Sequence, residues 1–257
     1  MRRIPSILLA CSVVLLPAVG SSDERPHVRP AFVQGERLSY AVSYLGLRAG
    51  SLTMEVTGRH DRDGRPVYRF MTVAKSQDPV TRFFPVHDEA ESIVDAETLA
   101  PQHVRLQKHE GKSRSKIDVT FQHRDGTAVT IKDGEMNRLS IPLETQQTFS
   151  VVYYVRSLRS LALGTSGALT VQHETKHYPM QFVVDKVEDV AGPWGRRSAL
   201  RISVALPASR LWRKPGKIQV WVTTDPSHVP LKVTATMLVG MLVAELTDTA
   251  RPPRLDN

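Results

Sequence analysis

From residue 37 onward apolar side chains recur at every second position, the spacing that gathers them on one face of a β-strand. In "RLSYAVSY" Leu38, Tyr40, Val42 and Tyr44 share a face. In "SLTMEVTG" Leu52, Met54 and Val56 point inward while Thr53, Glu55 and Thr57 point outward. The same alternation returns in "KIDVTFQH" (Ile117, Val119, Phe121), "RISVAL" (Ile202, Val204, Leu206) and "KIQVWVTT" (Ile218, Val220, Val222). The closing run "LKVTATMLVGMLVAEL" is long enough for two strands bent or joined near Gly240. Between these runs Asp63-Gly64, Asp125-Gly126 and Asp133-Gly134 are hairpin dipeptides, since a tight hairpin needs left-handed backbone. Gly46 to Gly50, "GPWG" at 192–195, "KPG" at 214–216 and "DPSHVP" at 225–230 are further turns. Strands at short, regular spacing predict an antiparallel sheet that curls on itself, because a large flat sheet would expose long edges.

One stretch changes period. In "TFSVVYYVRSLRSLALG" Val151, Tyr154, Val155, Leu158 and Leu161 fall at helical spacing, with Arg156, Ser157, Arg159 and Ser160 opposite. This predicts an amphipathic helix near residues 148–162, capped by Thr148 or Ser150 and ended by Gly164. "DPVTRFF" (78–84) adds a short helical turn. The expected fold is mainly β: a curved antiparallel sheet or open β-barrel, spiral-like, with the central helix on its concave face. Residues 33–249 are expected to form a single domain between a disordered segment at 21–32 and a disordered tail at 250–257.

Arg2 and Arg3 precede an apolar stretch from Ile4 to Gly20, then small residues and the polar "SSDER". This is the layout of a secretory signal peptide, residues 1–20, and places the protein in the periplasm. Cys11 is the only cysteine. "LLAC" offers a lipoprotein signal anchored through Cys11 in the outer membrane as the alternative, but the apolar run continues past it through "SVVLLPAV". Without Cys11 the exported chain has no disulfide and no thiolate chemistry. No later segment reaches membrane-spanning length.

At 257 residues, 41% hydrophobic and 23% charged, the chain has the composition of a globular protein rather than a disordered or fibrous one. Its net charge of +8 suits an anionic partner, and export removes nucleic acid from the candidates. That leaves anionic lipid, lipopolysaccharide or an envelope protein. Arg196, Arg197, Arg210, Arg213 and Lys214, interspersed with Trp194, Trp212 and Trp221, are the candidate contacts with an anionic surface. The plainer reading leaves those cations in solvent and the tryptophans partly in the core.

The most chemically loaded string is HETKH (173–177), a match to the H-E-x-x-H zinc-protease motif. That motif works on a helix, where both histidines lie one turn apart on one face. Here Pro179 follows His177 by two residues, and the preceding "GALTV" is β-patterned. The segment therefore reads as two strands around a polar turn, and a metal-dependent hydrolase becomes the minor alternative. His87, Asp88, Glu89 and Glu91 form a second polar cluster, in which His87 and Glu89 share a strand face. Asp225 and His228 belong to turn chemistry. No serine elbow or phosphate loop is present, so no catalytic residue, metal ligand or cofactor is assigned.

The order of motifs resembles a bacterial family, the domain of unknown function 3108. The resemblance is carried by "GERLSYAVSYLGLRAGSLTMEV", "FFPVHDEAES", "EGKSRSK", "FSVVYYVRSL", "KIQVWVTTDPSHVPLKV" and "VGMLVAELT", over about residues 33–248. It implies an exported envelope protein and supplies no activity or catalytic residues. The leading expectation is a non-catalytic protein that binds an apolar or amphipathic envelope component, or a protein partner, on its concave face. Tyr40, Tyr44, Phe70, Phe121 and Trp221 are the candidate ligand-binding residues. A structural or interaction protein is the alternative, and it predicts an interior filled by side chains.

Overall fold

A computed structural model of the chain describes residues 28–62, 64–206, 216–236 and 240–250. Among the described residues the first wing holds β1 (Arg37–Tyr44), β2 (Leu47–Arg62), β3 (Arg65–Ser76), β4 (His87–Asp95), β5 (Pro101–Glu110), β6 (Ser113–Gln122), β7 (Thr127–Lys132) and β8 (Glu135–Ser140). Helix α1 (Val80–Phe83) interrupts it between β3 and β4. The short strand β9 (Gln146–Gln147) and helix α2 (Val151–Arg156) lead to the second wing. That wing holds β10 (Ser166–His173), β11 (Lys176–Gly192), β12 (Gly195–Leu206), β13 (Gly216–Thr223), β14 (Pro230–Thr236) and β15 (Met241–Ala250).

All fifteen strands join one sheet in the order β8-β7-β6-β5-β4-β3-β2-β1-β15-β14-β13-β12-β11-β10-β9. Each wing is a meander of antiparallel neighbours, and the wings meet where β1 pairs with β15. Only the β9–β10 pairing is parallel among these strands. β8 and β9 end the sheet without pairing to each other, so the barrel is open.

The period-two pattern is realised as the alternation predicts. Leu38 and Tyr40 of β1, Val56 of β2, and Ile117, Val119 and Phe121 of β6 are all buried. The final apolar run splits into β14 and β15, with Gly240 at positive φ in the turn. Asp133-Gly134 also turns through left-handed backbone at both residues, as a tight hairpin requires. Gly50 of β2 has a different reason to be glycine: a Cβ there would stand 2.1 Å from the Lys75 carbonyl oxygen on β3.

The helix differs from its expected extent. α2 covers six residues rather than the run near 148–162. Ser150 stands at its N-cap without a side-chain cap, its hydroxyl bonding back to the Gln147 carbonyl instead. At the other end the Ser157 hydroxyl donates to the Tyr153 carbonyl at 2.8 Å and accepts from the Ala31 amide. Gly164 serves the approach to β10, where its amide donates to the Val184 carbonyl. Two residues assigned to the polar face, Arg156 and Ser157, are 1% and 2% exposed. The segment before β1 and the β13–β14 turn cover this side of the helix and keep Arg156 and Ser157 from solvent.

α2 bridges the wings. Tyr153 and Tyr154 pack with Val56, Phe70 and Val94 of the first wing. Val155 also packs against the group of Val184, Leu200, Ile202, Val204 and Val222 on the second. Phe32 is buried in the same region, its ring edge-on to Phe70 and Tyr153. Two further groups complete the core: one around Leu38, Tyr40, Leu231 and Leu246 at the junction, the other around Leu106, Val119 and Phe121.

Candidate functional site

The concave face is the place where this fold could hold something, and α2 occupies it. The Tyr153 ring stacks on Phe70 with centroids 3.9 Å apart. One turn on, the Arg156 guanidinium reaches Glu36, which sits just ahead of β1. Nη1 donates to Oε1 at 2.7 Å and Nη2 to Oε2 at 3.1 Å, with both side chains 1% exposed. Backbone carbonyls take further donors: Nε and Nη2 donate to the Ser227 carbonyl, and Nη2 to that of Ala31. A bidentate carboxylate with two carbonyls satisfies a planar guanidinium in a way an ammonium could not. Burial alone would depress Arg156, yet the Glu36 carboxylate holds it above its ordinary value. The pair ties two distant segments to α2: the chain before β1 and the β13–β14 turn. His228 in that turn adds a bond from Nδ1–H to the Arg156 carbonyl at 2.9 Å.

Beside this pair lie two phenols. Tyr40 donates its hydroxyl to the Pro230 carbonyl at 3.0 Å. Burial pushes both Tyr40 and Tyr153 well above the usual phenol range, so both remain neutral. The five candidate ligand residues are distributed rather than gathered. Phe70 faces α2, Phe121 lies in the β4–β7 group, and Tyr40 and Trp221 belong to the junction group. Trp221 donates from Nε1 to Glu188 at 2.6 Å. Tyr44 is half-buried at the end of β1.

HETKH forms the turn of the β10–β11 hairpin. Register pairs His173 with Lys176 and Gln172 with His177. Cross-strand partners share a face and sequence neighbours alternate, so His173 and His177 point to opposite faces. The zinc geometry is thereby lost. Burial holds His173 below its ordinary value, and its Nδ1 lies 3.1 Å from the Thr148 hydroxyl. Glu174, at positive φ in the turn, reaches across the opening to the far wing. Its carboxylate meets Lys108 of β5 at 3.2 Å and Lys132 of β7 at 2.7 Å, and its carbonyl accepts from Thr130. Burial would raise Glu174, but the two ammonium groups outweigh it and hold the carboxyl below its usual range. Thus HETKH supplies a latch between the two ends of the open barrel.

His87 and Glu89 do share a face, 2.9 Å apart and about half exposed. Asp88 turns the other way to accept the His109 amide, and burial raises it. Asp225 accepts from both the amide and hydroxyl of Ser227. Burial pushes Asp225 up, but these bonds bring it below its usual value. Among the described residues no three His, Cys, Asp or Glu side chains are grouped to hold a metal. Arg196 and Arg197 are exposed at the start of β12, with Arg196 donating to the Asp189 carbonyl. Arg210, Arg213 and Lys214 lie outside the described residues, as do the expected signal peptide and Cys11. No helix among the described residues is long and apolar enough to cross a membrane.

A sheet opened at one seam, bridged by a short helix and latched by a hairpin tip, defines a β-barrel-like protein. The chain belongs to the family described as protein of unknown function (DUF3108), whose model matches residues 39–247. Among curated proteins none matches it. Among solved structures it is similar to a beta-barrel-like protein of domain of unknown function DUF1849 from Brucella abortus. The two are 13% identical over 86% of this chain and 98% of that one, with a TM-score of 0.58. A protein with a YmcC-like fold from Bacteroides fragilis is 9% identical over 88% of this chain and 100% of that one, with a TM-score of 0.35. The Brucella likeness is one of fold.

Proposed function

We propose that the protein is exported to the periplasm and acts in the cell envelope as a non-catalytic interaction protein, working from its outer surface rather than through a ligand held on the concave face. The observation that carries this is the occupancy of that face: Tyr153 stacked on Phe70, and Arg156 paired with Glu36 at full burial. An apolar cargo seated there would have to displace α2 and strand a buried charge, which is costly. The basic start followed by an apolar stretch within residues 1–20 supports export. The excess of cations supports an anionic envelope partner.

Native mass spectrometry of the protein purified gently from its own envelope tests the reading, with metal analysis of the same sample. The expected result is the bare mass of the processed chain. A stoichiometric lipid-like adduct that survives purification would return the concave face to the role of a binding cavity and sink the proposal.

A further inference from the structure

The antiparallel order brings the β1–β2, β3–β4, β5–β6 and β14–β15 connections to the same end of the sheet. That rim carries uncovered apolar side chains. Phe83 of α1 is 86% exposed, Leu47 66%, Leu45 57%, Phe84 52% and Met241 47%. Contacts make the rim continuous. The Leu45 amide donates to the Met241 carbonyl, and the Leu45 side chain lies against Gly240. The Gln77 amide donates to the Ala49 carbonyl, and the Arg48 Nε to the Gln77 side-chain oxygen at 2.9 Å. The Phe84 ring lies over Gly111, whose amide donates to the Pro85 carbonyl. α1 buries none of its residues, so packing does not account for Phe83.

The charge around these side chains indicates what meets them. Arg48 spends its bond on a neutral amide, Arg82 stands beside Phe83, and exposed Lys112 follows the glycine under Phe84. The carboxylate nearest Arg82, Asp78, is 3.5 Å away, and both are solvent-exposed. Apolar tips that project from turns, with cations at their bases, match the depth profile of a lipid interface. Rings and branched chains reach the acyl boundary while guanidinium and ammonium groups stay with the phosphates.

We propose that this rim docks the protein on an anionic phospholipid bilayer surface. Arg196 and Arg197 lie at the far end of the second wing and take no part. The inference takes its setting from the envelope reading above, while the binding itself is read on the purified protein alone.

The test is flotation of the exported, processed protein with vesicles of phosphatidylethanolamine, with and without phosphatidylglycerol. Binding is expected only with phosphatidylglycerol, and should weaken as salt rises. Phe83→Ser is expected to lower the affinity roughly tenfold or more, the effect of withdrawing a phenyl ring from an apolar phase. Leu143→Ser, at a leucine 67% exposed just past the opposite end of β8, leaves it unchanged. Phe83→Trp, which keeps an aromatic ring at the tip, should bind and show a blue-shifted fluorescence increment on the same vesicles. Folded protein that ignores phosphatidylglycerol, or a Phe83→Ser variant that binds as well as the parent, overturns the proposal. So does a protein that self-associates through Phe83 in sedimentation without binding vesicles, which would make the rim an interface between copies.

Discussion

Replacing Arg156 with methionine isolates the energetic weight of the helix anchor. Methionine keeps much of the aliphatic length but not the guanidinium, whose carbon lies 5.8 Å from the Tyr153 ring centroid. What disappears is five hydrogen bonds: two to Glu36, two to the Ser227 carbonyl and one to Ala31. What remains is the Glu36 carboxylate at 1% exposure with no counter-charge. Breaking one side of such a pair costs about 3–5 kcal/mol, most of it the unpaired charge. For a chain of this size that corresponds to a fall of roughly 6–20 °C in Tm. The companion variant Glu36→Gln/Arg156→Met removes both charges and should recover a good part of the loss. Thermal unfolding followed by circular dichroism measures both, and a double-mutant cycle gives the coupling. An Arg156→Met variant within about 1 kcal/mol of the parent, below the range for a broken buried pair, would refute the argument that this charge organises the interior.

The latch predicts a pH signature. Because Glu174 titrates below its ordinary value when folded, its contribution exists above the unfolded carboxylate value and is lost as pH falls through the folded one. Glu174→Gln should lower stability by less than about 1 kcal/mol at neutral pH, given its partial exposure, and the gap to the parent should close in acid. A gap that widens in acid contradicts the assignment. Metal analysis should find no stoichiometric zinc, and His173→Ala and His177→Ala should not alter how Tm responds to chelator; one zinc per chain that vanishes in either variant overturns the hairpin reading.

The strands were legible because their signal is local: alternation fixes the face, and Asp-Gly pairs fix the turns. Leu38 and Tyr40 could be placed on one strand face for the same reason. The family motifs carried the resemblance that the model match at 39–247 bears out. The buried ion pair was not legible. Glu36 is one acidic residue before a strand, Arg156 sits where a helical wheel draws solvent, and 120 residues separate them. Helical periodicity identified α2 but overran it, because its end is set by Ser157 bonding Tyr153 and Ala31 rather than by a glycine. The role of HETKH needed the sheet to curl. Nothing in five residues announces that their carboxylate will meet lysines on the opposite wing. The exposed rim had a sequence cue, Phe83-Phe84 beside Arg82, but exposure is a property of the assembled turns.

The junction of β1 with β15 also dictates an order of events. Ser39 and Thr247 bond across that seam although they stand 208 positions apart, whereas the other neighbours within each wing follow closely along the chain. β1 precedes β15 by most of the chain, so the first wing can zip locally while its inner margin, Leu38 and Tyr40 included, waits unpaired. Until the final strand arrives, that margin is an open template for any other extended chain. The vulnerable interval for this protein is therefore the one before β15 pairs with β1, and a truncation that removes β15 would prolong it indefinitely.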